Sequence, residues 1–228
     1  MKQQLYVFQH PKTPKYTDGR PINAHYDRSG IERCPKCSGV VSGLKWVGDK
    51  KVRINKRPLP DFLIMYGGST TPFLISEKAL NCFIQNGIKG IESYELIDRF
   101  FCKNEEVPLR YYNISLARLD IPIDHEASKI KYGELYHPEQ QCELCYPKGK
   151  TKDIILSLHL KQPDDLDYDI FKTYEMCDIP LFSERFVEVC QTNNLTGILF
   201  EKTQDYDSKT RDFWAEEKLI EFFGADNI

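Results

Sequence analysis

An internal repeat constrains this fold more than any other sequence feature, because a duplicated unit must be packed twice in one chain. The segment FLISEKALNCFIQNGIKGIESYE, starting at Phe73, aligns without a gap with PLFSERFVEVCQTNNLTGILFE, starting at Pro180. The alignment places Ser76 on Ser183, and the same offset matches Glu77, Lys78, Asn86, Gly90 and Ile91 with Glu184, Arg185, Asn193, Gly197 and Ile198. We therefore treat the chain as one structural unit written twice.

Each copy has the pattern of a helix followed by a turn and a strand. A serine stands where a helix N-cap is expected, an acidic residue follows it, and apolar residues then recur at helical spacing. Asn-Gly in the first copy and Asn-Asn in the second can adopt the left-handed backbone that ends a helix. A β-rich segment follows in both copies.

Two CxxC pairs keep nearly the same spacing as the repeat. Cys34 and Cys37 lie 108 residues before Cys142 and Cys145. We predict an α+β fold with two pseudo-repeated halves, each with strands and then a Ser-capped helix and a strand, joined by a shared zinc site. The predicted halves are residues 1–118 and 119–228, forming one compact unit.

Other elements follow from local pattern. Alternating or β-branched residues predict the strands Leu5 to Phe8, Lys51 to Asn55, Tyr111 to Ala117 and Ile154 to Leu160. An amphipathic helix is predicted from about Asp212 to Phe223, ending at Gly224.

The four paired cysteines predict one structural zinc ion per chain. Each CxxC turn suits two vertices of a tetrahedron, with Zn–S distances of about 2.3 Å, and a closed four-thiolate site has no position for a reactive water. Three alternatives stay open: a redox CxxC, two unrelated turns with reduced thiols, or separate zinc sites completed by His25 and His137.

Composition sets the environment that we expect. The N-terminal residues lack a signal-peptide pattern and no apolar run is long enough to span a bilayer, so we expect a cytoplasmic protein without a membrane partner. In that compartment the eight cysteines are metal ligands or small packed side chains, and we expect packing for Cys82, Cys102, Cys177 and Cys190.

Charge divides the chain in two. Up to Arg118 there are 19 Lys and Arg against 11 Asp and Glu, whereas the remainder has 12 against 23. The basic stretch Lys50 to Arg57 supports an alternative function, a zinc-stapled nucleic-acid-binding or regulatory module, although a solvated edge strand is the favoured interpretation. The acidic second half makes nucleic acid an unfavoured partner.

Catalytic templates do not fit. A zinc deaminase needs H-x-E and then P-C-x-x-C, but His125 and Glu126 are adjacent and Gln141 stands at the proline position. The chain has no G-x-S-x-G, H-E-x-x-H or G-x-G-x-x-G motif. We therefore expect a protein that is not an enzyme.

The chain resembles the double-CxxCG family of bacterial immunity proteins from polymorphic-toxin systems. The resemblance is carried by Cys34, Cys37, Ser38, Gly39, Cys142, Cys145 and the segment Phe182-Ser183-Glu184-Arg185 through Gly197. The first motif reads C-P-K-C-S-G, with an inserted Ser38, and the second has Tyr146 where the family has glycine. The resemblance implies a cytoplasmic antidote that binds and neutralises a cognate toxin.

An acidic segment is the candidate binding surface. Asp164, Asp165, Asp167 and Asp169 lie within six residues of an expected loop. Such a loop can be merely solvated, or it can attract a basic toxin domain through complementary charge. We expect a monomer that presents this loop to its partner.

Overall fold

The computed structural model describes residues 3–9, 16–27, 31–41, 45–55, 57–67, 71–134, 142–146 and 150–206. Within these ranges the chain is mostly β-strand with two α-helices, and the predicted α+β class is confirmed. The helix predicted at Asp212 to Phe223 lies outside the described residues.

The elements are given in chain order. Those up to the first helix are β1 (Leu5–Gln9), β2 (Gly19–Pro21), β3 (His25–Asp27), β4 (Lys45–Val47), β5 (Lys51–Ile54), β6 (Phe62–Ile64), β7 (Phe73–Ser76) and α1 (Glu77–Gln85). The middle ones are β8 (Ile91–Leu96), β9 (Arg99–Cys102), β10 (Glu105–Val107), β11 (Tyr111–Leu116), β12 (Arg118–Leu119), β13 (Lys129–Glu134) and β14 (Lys150–Ser157). The last are β15 (Ile170–Thr173), β16 (Leu181–Ser183), α2 (Glu184–Thr192), β17 (Leu199–Lys202) and a 3-10 turn at Thr203–Asp205.

Each predicted strand overlaps an observed one, with one shift. The strands predicted from Leu5, Lys51 and Tyr111 begin at those residues. The strand predicted at Ile154 to Leu160 instead runs over Lys150–Ser157, where it forms a two-stranded sheet with β13.

Two sheets carry the helices. One has the order β6-β7-β11-β8, and the other has the order β12-β15-β16-β1-β17. In the second sheet β1 pairs antiparallel with both β16 and β17, so the start of the chain lies between strands from its end. This sheet therefore crosses the predicted division at residue 118.

A third sheet, with the order β10-β9-β5-β2, contains the basic stretch. In it β5 pairs with β2 on one side and with β9 on the other, so it is an interior strand. The interpretation of Lys50 to Arg57 as an edge strand is wrong. Val52 and Ile54 are buried while Arg53 between them is exposed, so β5 has one face on the core and one towards solvent.

Both helices begin at a serine and end at an asparagine. The Ser76 hydroxyl accepts a hydrogen bond from the Ala79 N–H at 3.1 Å, and the Ser183 hydroxyl accepts one from the Phe186 N–H at 3.0 Å. These bonds satisfy N–H groups that have no partner in the first helical turn.

One aromatic core joins the two helices. The rings of Phe83 on α1 and Phe186 on α2 lie 4.9 Å apart, and Phe62 contacts both. Phe8 from β1 belongs to the same buried cluster. The core therefore draws on both predicted halves, and burial of each such ring stabilises the fold by roughly 1.5–3 kcal/mol.

Two buried aspartates connect opposite parts of the chain. Asp169 accepts hydrogen bonds from the Ser183 hydroxyl at 2.9 Å, from the Lys89 backbone N–H at 2.9 Å and from Arg185 Nη1 at 2.6 Å. Since Lys89 follows α1 and Ser183 begins α2, this carboxylate fixes the end of one helix unit to the start of the other.

The same arrangement recurs about 107 residues earlier. Asp61 accepts hydrogen bonds from the Ser76 hydroxyl at 2.8 Å and from both the N–H and the hydroxyl of Thr196, which follows α2. Lys78 Nζ lies 3.4 Å from the same carboxylate. The two helix units are thus fixed to each other reciprocally.

Candidate metal centre

The first cysteine turn is held by its own backbone. The Cys34 N–H donates to the Gly39 carbonyl at 2.8 Å, and the Ser38 N–H donates to the Cys34 carbonyl at 2.9 Å. The Gly39 N–H points at Cys37 Sγ, 3.4 Å away. Ser38 has a φ of 58°, so it adopts the left-handed conformation that glycine adopts most easily.

This conformation predicts that Ser38→Gly stabilises the protein. A non-glycine residue in the left-handed region is strained, whereas glycine loses more chain entropy on folding, so we expect a net gain of about 0.5 kcal/mol. Urea denaturation of the zinc-loaded protein measures it. Ser38→Ala is the matched control, because alanine keeps the Cβ atom and should give no gain; a glycine variant less stable than the alanine variant contradicts the prediction.

The second cysteine turn is built differently. The Tyr146 N–H donates to the Cys142 carbonyl at 2.9 Å, and the Leu144 N–H points at Cys142 Sγ, 3.4 Å away. Tyr146 is not among the described non-glycine residues that have a positive φ. The turn therefore closes without the glycine that the family motif has at this position.

The two turns bring all four sulfur atoms together. The Sγ atoms of Cys34, Cys37, Cys142 and Cys145 lie within 4.8 Å of one another. Cys34 Sγ is 3.7 Å from Cys142 Sγ, and Cys37 Sγ is 3.5 Å from Cys145 Sγ. Four ligands at about 2.3 Å from one ion would be separated by about 3.8 Å in a regular tetrahedron. The cluster thus has dimensions that suit a single tetrahedral metal ion.

Three of the four cysteines are buried and one is exposed. Cys34, Cys142 and Cys145 are 1%, 6% and 3% exposed, whereas Cys37 is exposed. An ion pair between Lys36 and Glu143, with N and O atoms 3.0 Å apart, bridges the outer side of the two turns.

The electrostatics favour a bound cation. Burial raises the pKa of the Cys145 thiol, and hydrogen bonding with the other three sulfur atoms raises it further. Burial also raises the pKa of Cys37. Burial acts in the same direction on Cys142, but hydrogen bonds from the Cys145 and Leu144 N–H groups and from the Cys37 and Cys145 thiols together outweigh it and hold its pKa at about 7. Four adjacent thiolates repel one another, so all four ionise together only if a cation neutralises them.

Cations and aromatic rings surround the cluster. Lys152 Nζ lies 5.7 Å from the centre of the Tyr146 ring, and burial lowers the pKa of this lysine. Tyr174 and Cys177 pack against the cysteines, and the guanidinium of Arg118 lies 5.8 Å from the Tyr174 ring. Burial raises the pKa of Cys177 to about 11.

The four-cysteine cluster can therefore bind one metal ion. Among the described residues, it is the one group of His, Cys, Asp and Glu side chains whose ligand atoms lie close enough together to hold a metal ion. His25 is exposed on β3, and His137 lies outside the described residues, so the alternative of His-containing sites gains no support from His25. Of the other cysteines, Cys82 and Cys190 are buried as expected, whereas Cys102 and Cys177 are half-buried.

The acidic segment is not uniform. Asp164, Asp165 and Asp167 are exposed, and Asp167 forms an ion pair with Lys89 at 2.5 Å. Asp169 is 5% exposed, and both its carboxylate oxygens already accept hydrogen bonds within the protein. The docking hypothesis can therefore rest on the first three aspartates, whereas Asp169 has a structural role.

Two lysines of the basic stretch are paired with carboxylates within the protein. Lys50 is 5% exposed and its Nζ lies 2.6 Å from a Glu95 carboxylate oxygen. Lys51 Nζ lies 3.3 Å from the Asp49 carboxylate. These charges do not form a continuous basic row for a phosphate backbone.

A buried polar cluster was missed by sequence reasoning. Nε2 of His125 lies 3.0 Å from a carboxylate oxygen of Glu175, whose side chain is 2% exposed, and Nδ1 lies 2.5 Å from the Tyr132 hydroxyl. The other Glu175 oxygen accepts the Ile123 N–H at 2.9 Å. No sequence pattern joins Glu175 to its partners, because it lies 50 positions after His125 and 52 after Ile123.

Comparison with protein-family models and with curated proteins finds no match for this chain. The likeness to the double-CxxCG family therefore stays a resemblance carried by individual residues. Within the ranges that the structure describes, neither helix is long and apolar enough to cross a lipid bilayer.

Proposed function

We propose that this chain is a cytoplasmic immunity protein that binds and neutralises a cognate bacterial toxin, with one structural zinc ion on Cys34, Cys37, Cys142 and Cys145. The observation that carries the proposal is the convergence of the two motif-bearing turns on one four-sulfur cluster. A closed four-thiolate site leaves no position for substrate or water, so the metal would stabilise the fold while the surface binds the partner.

The acidic loop supports a choice of partner. Asp164, Asp165 and Asp167 are exposed on one short segment, and clustered charge of one sign accelerates encounter with a partner of opposite charge. A basic toxin domain, such as a nuclease, has the complementary charge. The protein would act as a monomer by covering part of that domain.

The proposed duplication gives the metal a further role. If the chain arose from two copies of one unit, each copy contributes one cysteine pair, and the ion joins the two at their shared axis. The recurrence of the Asp169 contacts at Asp61 supports this origin.

The test is co-expression with the product of the adjacent gene. We expect that neighbour to be a large secreted toxin whose C-terminal domain is captured by this chain and loses its toxicity. Absence of capture, together with a salt-dependent shift of nucleic acid by micromolar protein, would instead support the nucleic-acid-binding alternative.

Metal analysis gives the first prediction. The purified chain should hold about one zinc per molecule, since four thiolates complete one tetrahedron. Elemental analysis combined with thiol titration measures this. Two zinc ions per chain, or none with every thiol freely titratable, would contradict the shared site.

Charge gives the second prediction. Replacing Asp164, Asp165 and Asp167 together by Asn should slow association with a basic toxin by about tenfold or more at low salt and leave its dissociation nearly unchanged. Stopped-flow mixing at several salt concentrations measures both rates. Asp205→Asn is a control, because this acidic residue lies outside the loop on the 3-10 turn. An unchanged association rate at low salt removes the loop from the interface.

A further inference from the structure

Two short sulfur contacts join the cysteine turns to each other. Cys37 Sγ lies 3.5 Å from Cys145 Sγ, and Cys34 Sγ lies 3.7 Å from Cys142 Sγ. Oxidation needs each sulfur to move by less than about 2 Å to reach the S–S bond length of about 2.05 Å. The arrangement therefore prepares two cross-turn pairs.

Access to the cluster is one-sided. Cys37 is exposed, while its three neighbours are 6% exposed or less. A soluble oxidant therefore meets Cys37 first, and the Cys145 sulfur in the other turn lies 3.5 Å from it. Reactivity of a thiol follows its exposure, so oxidation of the unsubstituted chain begins at Cys37.

We propose that the four-cysteine cluster is a site of reversible oxidation, at which a hydroperoxide forms the disulfides Cys37–Cys145 and Cys34–Cys142 and releases the metal. This inference rests on the proposed metal site and does not depend on toxin binding. The two turns stay joined in both forms, by the metal when reduced and by S–S bonds when oxidised.

The chemistry balances. The Cys37 sulfur attacks one oxygen of hydrogen peroxide, the O–O bond breaks, and Cys37 becomes a sulfenic acid while the other oxygen leaves as water. The Cys145 sulfur then attacks the Cys37 sulfur, and the S–O oxygen leaves as a second water. The two sulfur atoms lose two electrons in total and the peroxide takes up both, while the two protons that complete the two waters come from the thiols in the metal-free protein and from solvent when the sulfurs are metal-bound thiolates. A second peroxide oxidises Cys34 and Cys142 in the same way, which leaves no thiolate on the metal.

Peptide mapping can distinguish the possible disulfides. Lys36 lies between Cys34 and Cys37, and Glu143 lies between Cys142 and Cys145. Cleavage after lysine and after glutamate therefore separates all four cysteines onto different peptides. The full zinc-loaded chain is treated with hydrogen peroxide, free thiols are blocked, and the digest is analysed without reduction while a chromogenic chelator records zinc release.

We expect release of the bound zinc together with peptides that join Cys37 to Cys145 and Cys34 to Cys142. Dithiothreitol with added zinc should restore the original zinc content. Disulfides within each turn, Cys34–Cys37 and Cys142–Cys145, would overturn the proposal, and so would full retention of zinc in excess peroxide.

Two variants sharpen the result. Cys177→Ser removes the half-buried thiol that packs against the cluster and should leave both the map and the zinc release unchanged. Cys37→Ser, studied without metal, should form the disulfide Cys34–Cys142 alone. A Cys142–Cys145 bond in that variant, or capture of a cluster cysteine by Cys177 in the unsubstituted chain, contradicts the proposed pairing.

Discussion

Replacing Cys142 with serine is expected to abolish stoichiometric zinc binding and to lower the free energy of unfolding by several kcal/mol. Three thiolates and a hydroxyl neutralise the cation poorly, and binding to a structural zinc site contributes ~10 kcal/mol or more to folding in the best-studied cases. Cys142 is 6% exposed and two backbone N–H groups stabilise its thiolate, so serine does not reproduce its role. Zinc analysis and urea denaturation measure the two effects.

This variant should stay folded outside the cysteine turns. The strand β1 lies between β16 and β17, and Phe83 packs on Phe186, so the sheets and the core connect the two parts of the chain without metal. We therefore expect new tryptic cleavage after Arg33 and Lys36, within the first cysteine turn. Cleavage inside the sheets would mean that the metal organises the whole fold.

Cys177→Ser is the matched control for Cys142→Ser. It removes a half-buried thiol beside the cluster but leaves all four proposed ligands in place. It should keep one zinc per chain, and a chelator should destabilise it as much as the unsubstituted protein. If Cys142→Ser kept full zinc and the original digestion pattern, the shared site would be wrong.

Replacing Asp169 with asparagine should lower the free energy of unfolding by about 2–3 kcal/mol, because it removes a buried carboxylate that accepts three hydrogen bonds, while the ion pair itself contributes less since the Arg185 side chain is 48% exposed. Asparagine has nearly the same shape, but it lacks the charge that pairs with Arg185 Nη1 at 2.6 Å. Its amide also presents a donor to groups that themselves donate, among them the Lys89 N–H and the Ser183 hydroxyl. The urea midpoint and slope measure the loss.

Two other aspartates provide comparisons for Asp169: Asp164 is an exposed residue of the same segment, and Asp61 is the buried residue with corresponding contacts. Asp164→Asn changes the same functional group five residues away on the surface and should leave the urea midpoint essentially unchanged. Asp61→Asn should destabilise less than Asp169→Asn, because its cation, Lys78, is 3.4 Å away and has a 58% exposed side chain. Equal midpoints for Asp169→Asn and Asp164→Asn would contradict a structural role for Asp169.

Local signals account for what the sequence predicted well. A serine before an amphipathic run and an asparagine after it are contained within about twelve residues, so α1 and α2 could be placed directly. The cysteine cluster was predictable for a different reason: two pairs keep the repeat spacing, and two cysteines on a tight turn are a common arrangement of metal ligands.

The failures have one cause. The basic composition of β5 suggested an edge strand, but β2 and β9 pair with it from distant positions and make it interior. Asp169 looked like its acidic neighbours, yet its carboxylate meets Lys89, which lies 80 positions earlier in the chain. Composition indicates whether a residue favours water, but it does not show which distant segment of the chain will pack against that residue.

The sequence by itself determined the helix units, several of the strands and the set of four cysteines, because each depends on neighbours along the chain or on a repeated spacing. Only the tertiary structure decided that β1 lies between β16 and β17 and that Asp61 and Asp169 fix each helix unit to the other. Backbone and carboxylate groups lose their hydrogen bonds to water when they are buried, and strand pairing and buried polar contacts replace those bonds. The residues that supply the replacement bonds can lie anywhere in the chain, so no local pattern encodes them.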